Sequence, residues 1–365
     1  MAPAVTDRTR AELVDDLACA GAEPYRARQL FHAAHARRIA SWDDLTELPA
    51  RLRAHLAERF RLAALSEAAR STSADGTVKW LFQAADGQTI ETVAIPSSTV
   101  PGAAPRTTIC VSSQAGCAFA CRFCATGQMG FARDLTPGEI LEQVYRANSD
   151  SGRAVDNVVF MGMGEPLANL HSVVQAIRAL ADPLGLGFSP RRVTVSTSGL
   201  VPEIDLLAEA NLGARLAVSL HAPTDELRSA LMPINRRFPI ADLVAAASRY
   251  ARASGRRVSF EYVMLDGVND ADEHARLLAD LLAGRAAHVN LIPYNQTASG
   301  FTSSAPARIR TFAQRVRDGG VPCTIRASRG RDIAAACGQL KAENLRLRPK
   351  QPVRPATLSV GREKA

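Results

Sequence analysis

The spacing of apolar positions changes character twice along the 365 residues. Up to about residue 66, apolar side chains recur at three- and four-residue steps in AELVDDLACA, YRARQLFHAAHARR and LPARLRAHLAERF. That period predicts amphipathic helices, punctuated by Gly21-Ala-Glu-Pro24 and Leu48-Pro49. From Thr77 the period drops to two. TVKWLFQA and TIETVAIP flank Asp86-Gly87, the signature of a β-hairpin. Pro96 to Arg106 is a linker rich in Ser, Pro and Ala.

From Thr107 short apolar strands alternate with amphipathic helices. Six such units are expected, on TTICVSS, VDNVVFMGMGEP, RRVTVSTSG, ARLAVSLHAP, RRVSFEYVML and AHVNLIPYN, with PCTIRAS after them. Apolar strands that each lead into a helix imply a parallel sheet covered on both faces. Six units suit a partial (β/α)6 barrel better than a closed barrel of eight. The expected fold class is therefore α/β. A small helical domain (1–66) precedes a β-hairpin and linker (67–106), the partial barrel (107–340) and a basic, Pro-containing tail (341–365). The tail reads as either disordered or an RNA-contacting arm.

Polar motifs collect at one end of these strands. Cys117 follows the first, Gly164-Glu165-Pro166 the second and Ser196-Thr197-Ser198-Gly199 the third. Ser219-Leu220-His221 ends the fourth and Asn295 the sixth. Barrel enzymes gather their catalytic groups at the C-terminal ends of strands, so this rim is the candidate site.

The densest chemistry lies in Cys110-Val-Ser-Ser-Gln-Ala-Gly-Cys117-Ala-Phe-Ala-Cys121-Arg-Phe-Cys124, which holds four of the seven cysteines. Cys117, Cys121 and Cys124 have the spacing C-x3-C-x2-C. They offer three thiolates to a four-iron cluster and leave its fourth iron open to a ligand. The competing reading is a zinc knuckle with Cys110 as fourth thiolate. Six residues between Cys110 and Cys117 fit the short spacings of such knuckles poorly.

Charge and cysteine usage narrow the setting. A net charge of +8 favours polyanionic partners, because neutralised phosphates release counterions. Arg26, Arg28, Arg37, Arg38, Arg51, Arg53 and Arg59 make the helical unit basic, which suits a solvated face or an RNA-docking surface. No run is long enough to span a bilayer, and the charged N-terminus lacks an apolar signal segment. Cysteines concentrated in one loop suit a reducing, cytoplasmic location and cofactor work better than a disulfide scaffold. Cys19 and Cys323 read as buried thiols, one helical and one on a strand. His32, His35 and His55 read as surface or packing residues.

Together, CVSSQAGCAFACRFCATGQMGFARDLTPGEI, VVFMGMGEPLAN, VTVSTSGLVP, LAVSLHAP, HVNLIPYN and RGRDIAAACGQL resemble the dual-specificity adenine-C2 RNA methyltransferases. That family uses radical S-adenosylmethionine (SAM) chemistry. The likeness runs from about Thr77 to Leu340, more loosely through the helical N-terminus. It implies methylation of C2 of an adenine in 23S ribosomal RNA, and of C2 of the adenine 3′ of the tRNA anticodon. It also implies an electron donor of the flavodoxin type; a monomer without membrane attachment is expected.

Residue by residue, Cys117, Cys121 and Cys124 correspond to the ligands of one 4Fe–4S cluster. Gly164, Glu165, Ser196, Ser219, Leu220, His221 and Asn295 correspond to SAM contacts. Cys337 matches the thiol that carries the methyl group, Cys110 its resolving partner and Glu91 the acceptor of the C2 proton. In the family one SAM methylates the thiolate, and a second yields a radical that takes a hydrogen from the S-methyl group. The methylene radical adds to C2, a base removes the C2 proton, and the resolving thiol attacks the carrier sulfur. Methylated RNA leaves and a transient disulfide remains. The linker between Glu91 and Cys110 is longer than the family pattern, which leaves the placement of Glu91 open.

Three other readings stand beside this one. A sibling enzyme methylates C8 of the same ribosomal adenine with the same thiols. A glycyl-radical activating enzyme would need neither Cys110 nor Cys337. A non-catalytic, cluster-bearing RNA-binding protein would cleave no SAM.

Overall fold

The computed structural model describes residues 2–97, 106–150 and 155–340. Residues 98–105 of the expected linker and the expected tail 341–365 lie outside the described residues.

Helices α1 (Arg10–Ala18), α2 (Tyr25–His32) and α3 (Ala50–Arg59) begin the chain. Thr9 starts α1 with a reciprocal cap: its Oγ1 accepts from the Glu12 N–H, and the Glu12 carboxylate accepts from the Thr9 N–H at 2.7 Å. Leu13 and Leu17, one turn apart, face Leu30, Phe31, Leu52 and Leu56 in a cluster distinct from the barrel core. Cys19 is exposed, against expectation. It stands roughly 200° around the helix from Leu17, away from the buried stripe.

Strands β1 (Leu65–Thr72), β2 (Val78–Ala84) and β3 (Thr89–Ser97) form an antiparallel meander. The hydrophobic pattern gives no sign of β1, since every residue after Leu65 is exposed and no alternation results. β3 pairs antiparallel with β4 (Arg106–Cys110), Ser97 opposite Arg106 and Val93 opposite Cys110. The strand that carries Glu91 is thus paired with that of Cys110.

A short ribbon of β5 (Gln114–Gly116) and β6 (Phe131–Asp134) brackets the cysteine loop and α4 (Ala125–Met129). The units β4–α5 (Pro137–Asp150), β7 (Asn157–Phe160)–α6 (Leu170–Ala181) and β8 (Val193–Thr197)–α7 (Val201–Glu209) follow. Next come β9 (Arg215–Ser219) with α8 (Asp225–Leu231) and α9 (Ile240–Ser254), then β10 (Val258–Met264)–α10 (Asp272–Leu282). Last are β11 (Ala287–Pro293)–α11 (Pro306–Asp318) and β12 (Cys323–Ile325).

Among the described residues the main sheet has the order β1-β2-β3-β4-β7-β8-β9-β10-β11-β12, parallel from β4 onward. This is the α/β partial barrel that the patterning predicts, with the meander extending one edge. Side chains such as Phe160, Tyr262 and Phe312 are fully buried in its core. Each such burial contributes about 1.5–3 kcal/mol. Cys323 is buried there too, as expected.

Among the contacts that join the helical unit to the barrel is a buried polar one. His35 Nδ1 and the Tyr145 hydroxyl of α5 lie 2.6 Å apart, and Arg38 donates to the Tyr145 carbonyl oxygen at 2.9 Å. Burial pushes His35 down to about 4. The unfolded chain takes up a proton near pH 6.5 that folded His35 refuses until about pH 4, so stability should fall as pH drops through that window. Tyr145→Phe should cost about 1–3 kcal/mol in denaturant unfolding near pH 7.5, because it strands a buried imidazole. His35→Phe should flatten the pH dependence between 6.5 and 5. An unchanged slope would show that His35 does not carry it.

Candidate active site at the strand ends

Register decides which side chains share the inner face of the barrel. Directly opposed residues point the same way, so Val93, Cys110 and Val159 share a face, and so do Ser219, Glu261 and Asn290. At the C-terminal ends of these strands lies a cleft of about 1030 Å³, open mouth included. Cys117, Cys121, Cys124, Gly164, Glu165, Ser196, Ser219, His221, Asn295 and Cys337 all line it. Three candidates do not. Leu220 buries its side chain in the barrel core, while Cys110 and Glu91 are buried on β4 and β3.

Backbone hydrogen bonds hold much of the cysteine loop. Gly116 has φ +81, and a Cβ there would stand 2.1 Å from the Gly130 carbonyl oxygen. That oxygen accepts from the Cys117 N–H at 2.7 Å. The Arg122 N–H donates to the Leu231 oxygen at 3.0 Å, and the Ala125 N–H to the Gly338 oxygen at 2.8 Å. The last bond ties the cysteine loop to the loop of Cys337.

Gly164 is equally constrained: φ is +99, and a Cβ would meet Gln114 Cβ at 2.5 Å. Its neighbour Glu165 is buried and accepts from the Leu167 N–H at 3.1 Å and the Ser198 N–H at 2.7 Å. Burial raises its carboxyl, and the Ser198 N–H opposes that. A carboxylate has about four acceptor sites, so it retains capacity for a ligand cation. His221 has φ 59, and its Nδ1 accepts from the Val263 N–H at 3.0 Å, which puts the ring proton on Nε2. Burial drives it down to about 3, so it is neutral. Asn295 donates to the Cys337 carbonyl oxygen at 3.1 Å and accepts from Arg331 Nε at 3.0 Å.

The two remaining cysteines differ in access. Cys337 presents exposed surface at the mouth, although the surrounding walls desolvate its thiol and raise it, with Arg326 opposing. Cys110 is buried, and burial pushes it up to about 12. It lies near enough to Cys337 for the two thiolate charges to oppose one another. Glu91 pairs with Lys79 Nζ at 2.8 Å, and its carbonyl oxygen accepts from Ser112 Oγ at 2.6 Å.

Sequence reasoning misses four polar residues here. Arg228 is fully buried, and Glu261 is buried in the cleft wall with Asn290 donating to it at 2.8 Å. Arg326 and Lys79 complete the set. Arg228 on α8 reads like any solvated helical arginine. Lys79 left a signal: period-two alternation sets it on the face of Leu81.

The donor set fits an iron–sulfur cluster. Burial pushes Cys117 up to about 12 and raises Cys121, and each thiolate charge opposes its neighbours. A cationic centre reverses that balance. Among the described residues no three metal-binding side chains converge on a point that would hold a single ion. Cluster thiolates each bind a different iron and need not converge. Beside them, Ser198 Oγ lines the cleft and is buried without a hydrogen-bond partner among the described residues, which leaves a polar group for a ligand.

The radical SAM superfamily matches residues 111–279. A radical SAM methyltransferase from Sphaerobacter thermophilus superposes with a TM-score of 0.87 at 50% identity, over 93% of this chain and 99% of that one. The dual-specificity RNA methyltransferase RlmN of Anaeromyxobacter dehalogenans (strain 2CP-C) is 49% identical over 332 residues, 88% of this chain and 87% of that protein. Its counterpart from Syntrophobacter fumaroxidans (strain DSM 10017 / MPOB) is 44% identical over 342 residues, 93% of this chain and 98% of that protein. The chain belongs to the dual-specificity RNA methyltransferases of the radical SAM superfamily. It is an enzyme, and its family implies SAM and a 4Fe–4S cluster as cofactors. Among the described residues no helix is long and apolar enough to cross a membrane.

Gly116→Ala should strain the backbone by about 1–3 kcal/mol and drive a Cβ into Gly130. Iron bound after anaerobic reconstitution should fall severalfold, while Gly21→Ala, where nothing lies within 4 Å, should bind iron normally. Equal iron in both variants would mean that the loop does not depend on this close approach.

Proposed function

We propose that this cleft methylates C2 of an adenine in 23S ribosomal RNA and C2 of the adenine 3′ of the tRNA anticodon. One observation carries the reading: an open thiol, Cys337, stands beside a buried one, Cys110, at a cleft that also holds a three-cysteine loop. The relatives' description as dual-specificity RNA methyltransferases supports two RNA substrates.

Cys117, Cys121 and Cys124 would hold the cluster. Gly164, Glu165, Ser196, Ser219, His221 and Asn295, with the Leu220 backbone, would receive SAM. When bound, these groups supply the methyl carbon and the radical that activates it, two SAM molecules per turnover. Cys337 carries the carbon to the base from the open mouth. Arg326 favours its thiolate, the form that can be methylated. Glu91 accepts the C2 proton. Cys110, protonated at neutral pH, stays idle until the carbon–carbon bond exists. It then loses its proton and its sulfur attacks the Cys337 sulfur; the bond from that sulfur to the methylene carbon breaks, the carbon takes up a proton to become the methyl group of the freed RNA, and a transient disulfide remains.

Asn295 has a second task here. Its amide is bonded to the Cys337 carbonyl, so it also fixes the carrier loop. Arg28 and Arg51 face solvent on the helical unit, where RNA phosphates would release counterions. The reading includes a monomer reduced by a flavodoxin-type donor in the cytoplasm. Seven free cysteines support a reducing compartment.

The thiol roles separate in one experiment. Cys337→Ala should form no link to RNA. Cys110→Ala should still methylate Cys337 and attack the base, so a covalent protein–RNA adduct should accumulate on denaturing gels. Cys323→Ala serves as control. Release of methylated RNA by Cys110→Ala at the wild-type rate would sink the assignment of the resolving thiol. Mass spectrometry of the product nucleoside should give the C2 isomer; the C8 isomer would place the enzyme with its sibling.

A further inference from the structure

The hairpin turn between β2 and its neighbour β1 grips the loop that carries Cys337, although some 260 residues separate them. Ser73 Oγ donates to Asp332 Oδ1 at 2.6 Å, and the Gly330 N–H donates to Asp75 Oδ2 at 3.0 Å. Gly330 has φ +64, and a Cβ there would stand 2.8 Å from Thr77 Cγ2. The turn and the loop are therefore in close contact, with no room for an added side chain.

Lys79 extends this grip inward. Its Nζ lies 2.8 Å from the Glu91 carboxylate, and it donates to the Ala334 carbonyl oxygen at 3.4 Å. Ala334, three residues before Cys337, sits in left-handed backbone at φ 49, where the chain turns toward the thiol. The Glu91 side chain is only 5% exposed and that of Lys79 16%. A carboxylate so buried keeps its charge only with a counter-charge and hydrogen bonds. An ammonium has three donors and can serve both acceptors at once.

We propose that Lys79 is a positioning residue that couples the Glu91 carboxylate to the loop carrying Cys337. The inference rests on the roles given to Glu91 and Cys337 above. Under them, adenine C2 is tethered to the Cys337 sulfur while its proton leaves to Glu91, so base and tether must keep a fixed separation. Lys79 holds Glu91 and the Ala334 carbonyl but touches neither the adenine nor the sulfur. It sets that separation from the side.

The test uses full-length holoenzyme, reconstituted anaerobically, with labelled RNA. Lys79→Met keeps most of the length of the side chain and removes the charge. It should bind iron and carry the methyl on Cys337 as the wild type does, yet release methylated RNA roughly tenfold to a hundredfold more slowly, with adduct accumulating. Lys79→Arg should recover most of the rate. Adding Lys79→Met to Glu91→Gln should slow release less than about twofold further, as expected of residues that act as a unit. Normal release by Lys79→Met, while Glu91→Gln traps the adduct, would overturn the coupling and leave the site reading intact. Normal release by Glu91→Gln would overturn the base assignment and the coupling with it. A Lys79→Met protein whose lower iron content or stability accounts for its slow release would make Lys79 a scaffold residue only, which also overturns the proposal.

Discussion

The buried guanidinium of Arg228 holds the rim of the cleft together. It donates to the carbonyl oxygens of Leu220 at 3.1 Å, Ser198 at 2.6 Å and Ser219 at 2.9 Å, and to Asn235 Oδ1 at 2.8 Å. Those carbonyls end β8 and β9, where Ser196, Ser219 and His221 meet the cleft. A buried charge is costly unless its donors are satisfied, and here strand-end oxygens with no further ladder partners satisfy them. Burial lowers Arg228 to about 10, which still leaves it charged at neutral pH. A rim of carbonyl oxygens would otherwise repel itself. The guanidinium fixes it, and the parallel register carries that order to the neighbouring strands.

On this frame the same chemical group takes opposite parts. Cys337 and Cys110 are both thiols, yet one has open surface on a tethered loop and the other is sealed at a strand end. Access decides which can meet RNA. Burial raises both thiols, Cys110 up to about 12. The cysteine loop adds three more thiols, whose thiolate forms would repel one another without a cationic centre. On the proposed function, five cysteines would divide into carrier, partner and ligands through their positions.

Much of this was legible along the chain. Period-two strands alternating with period-3.6 helices specify parallel βα units, because each pattern can bury its apolar face in only one way. The C-x3-C-x2-C spacing and the strand-end motifs marked the rim. What escaped was local structure without an apolar signature. β1 alternates nowhere, since both its faces meet solvent beyond Leu65. The β5–β6 ribbon is too short to show a period. Cys19 misled because it follows an apolar helical run, yet only the angle around the helix axis sets its burial.

The sequence by itself determined the fold class, which resides in spacing and residue type, and its likeness to a known family supplied the candidate ligands and reactive residues. Only the tertiary structure decided how they are poised. It paired the strand that carries Glu91 with that of Cys110 so that Val93 stands opposite Cys110, because strand pairing counts ladder partners and not the number of residues between them. It buried Arg228 and half-buried Lys79, whose charges look solvated in a linear reading. It also joined Lys79 to Ala334 across more than 250 residues, a contact that no local pattern encodes because it depends on how the sheet curls back upon itself.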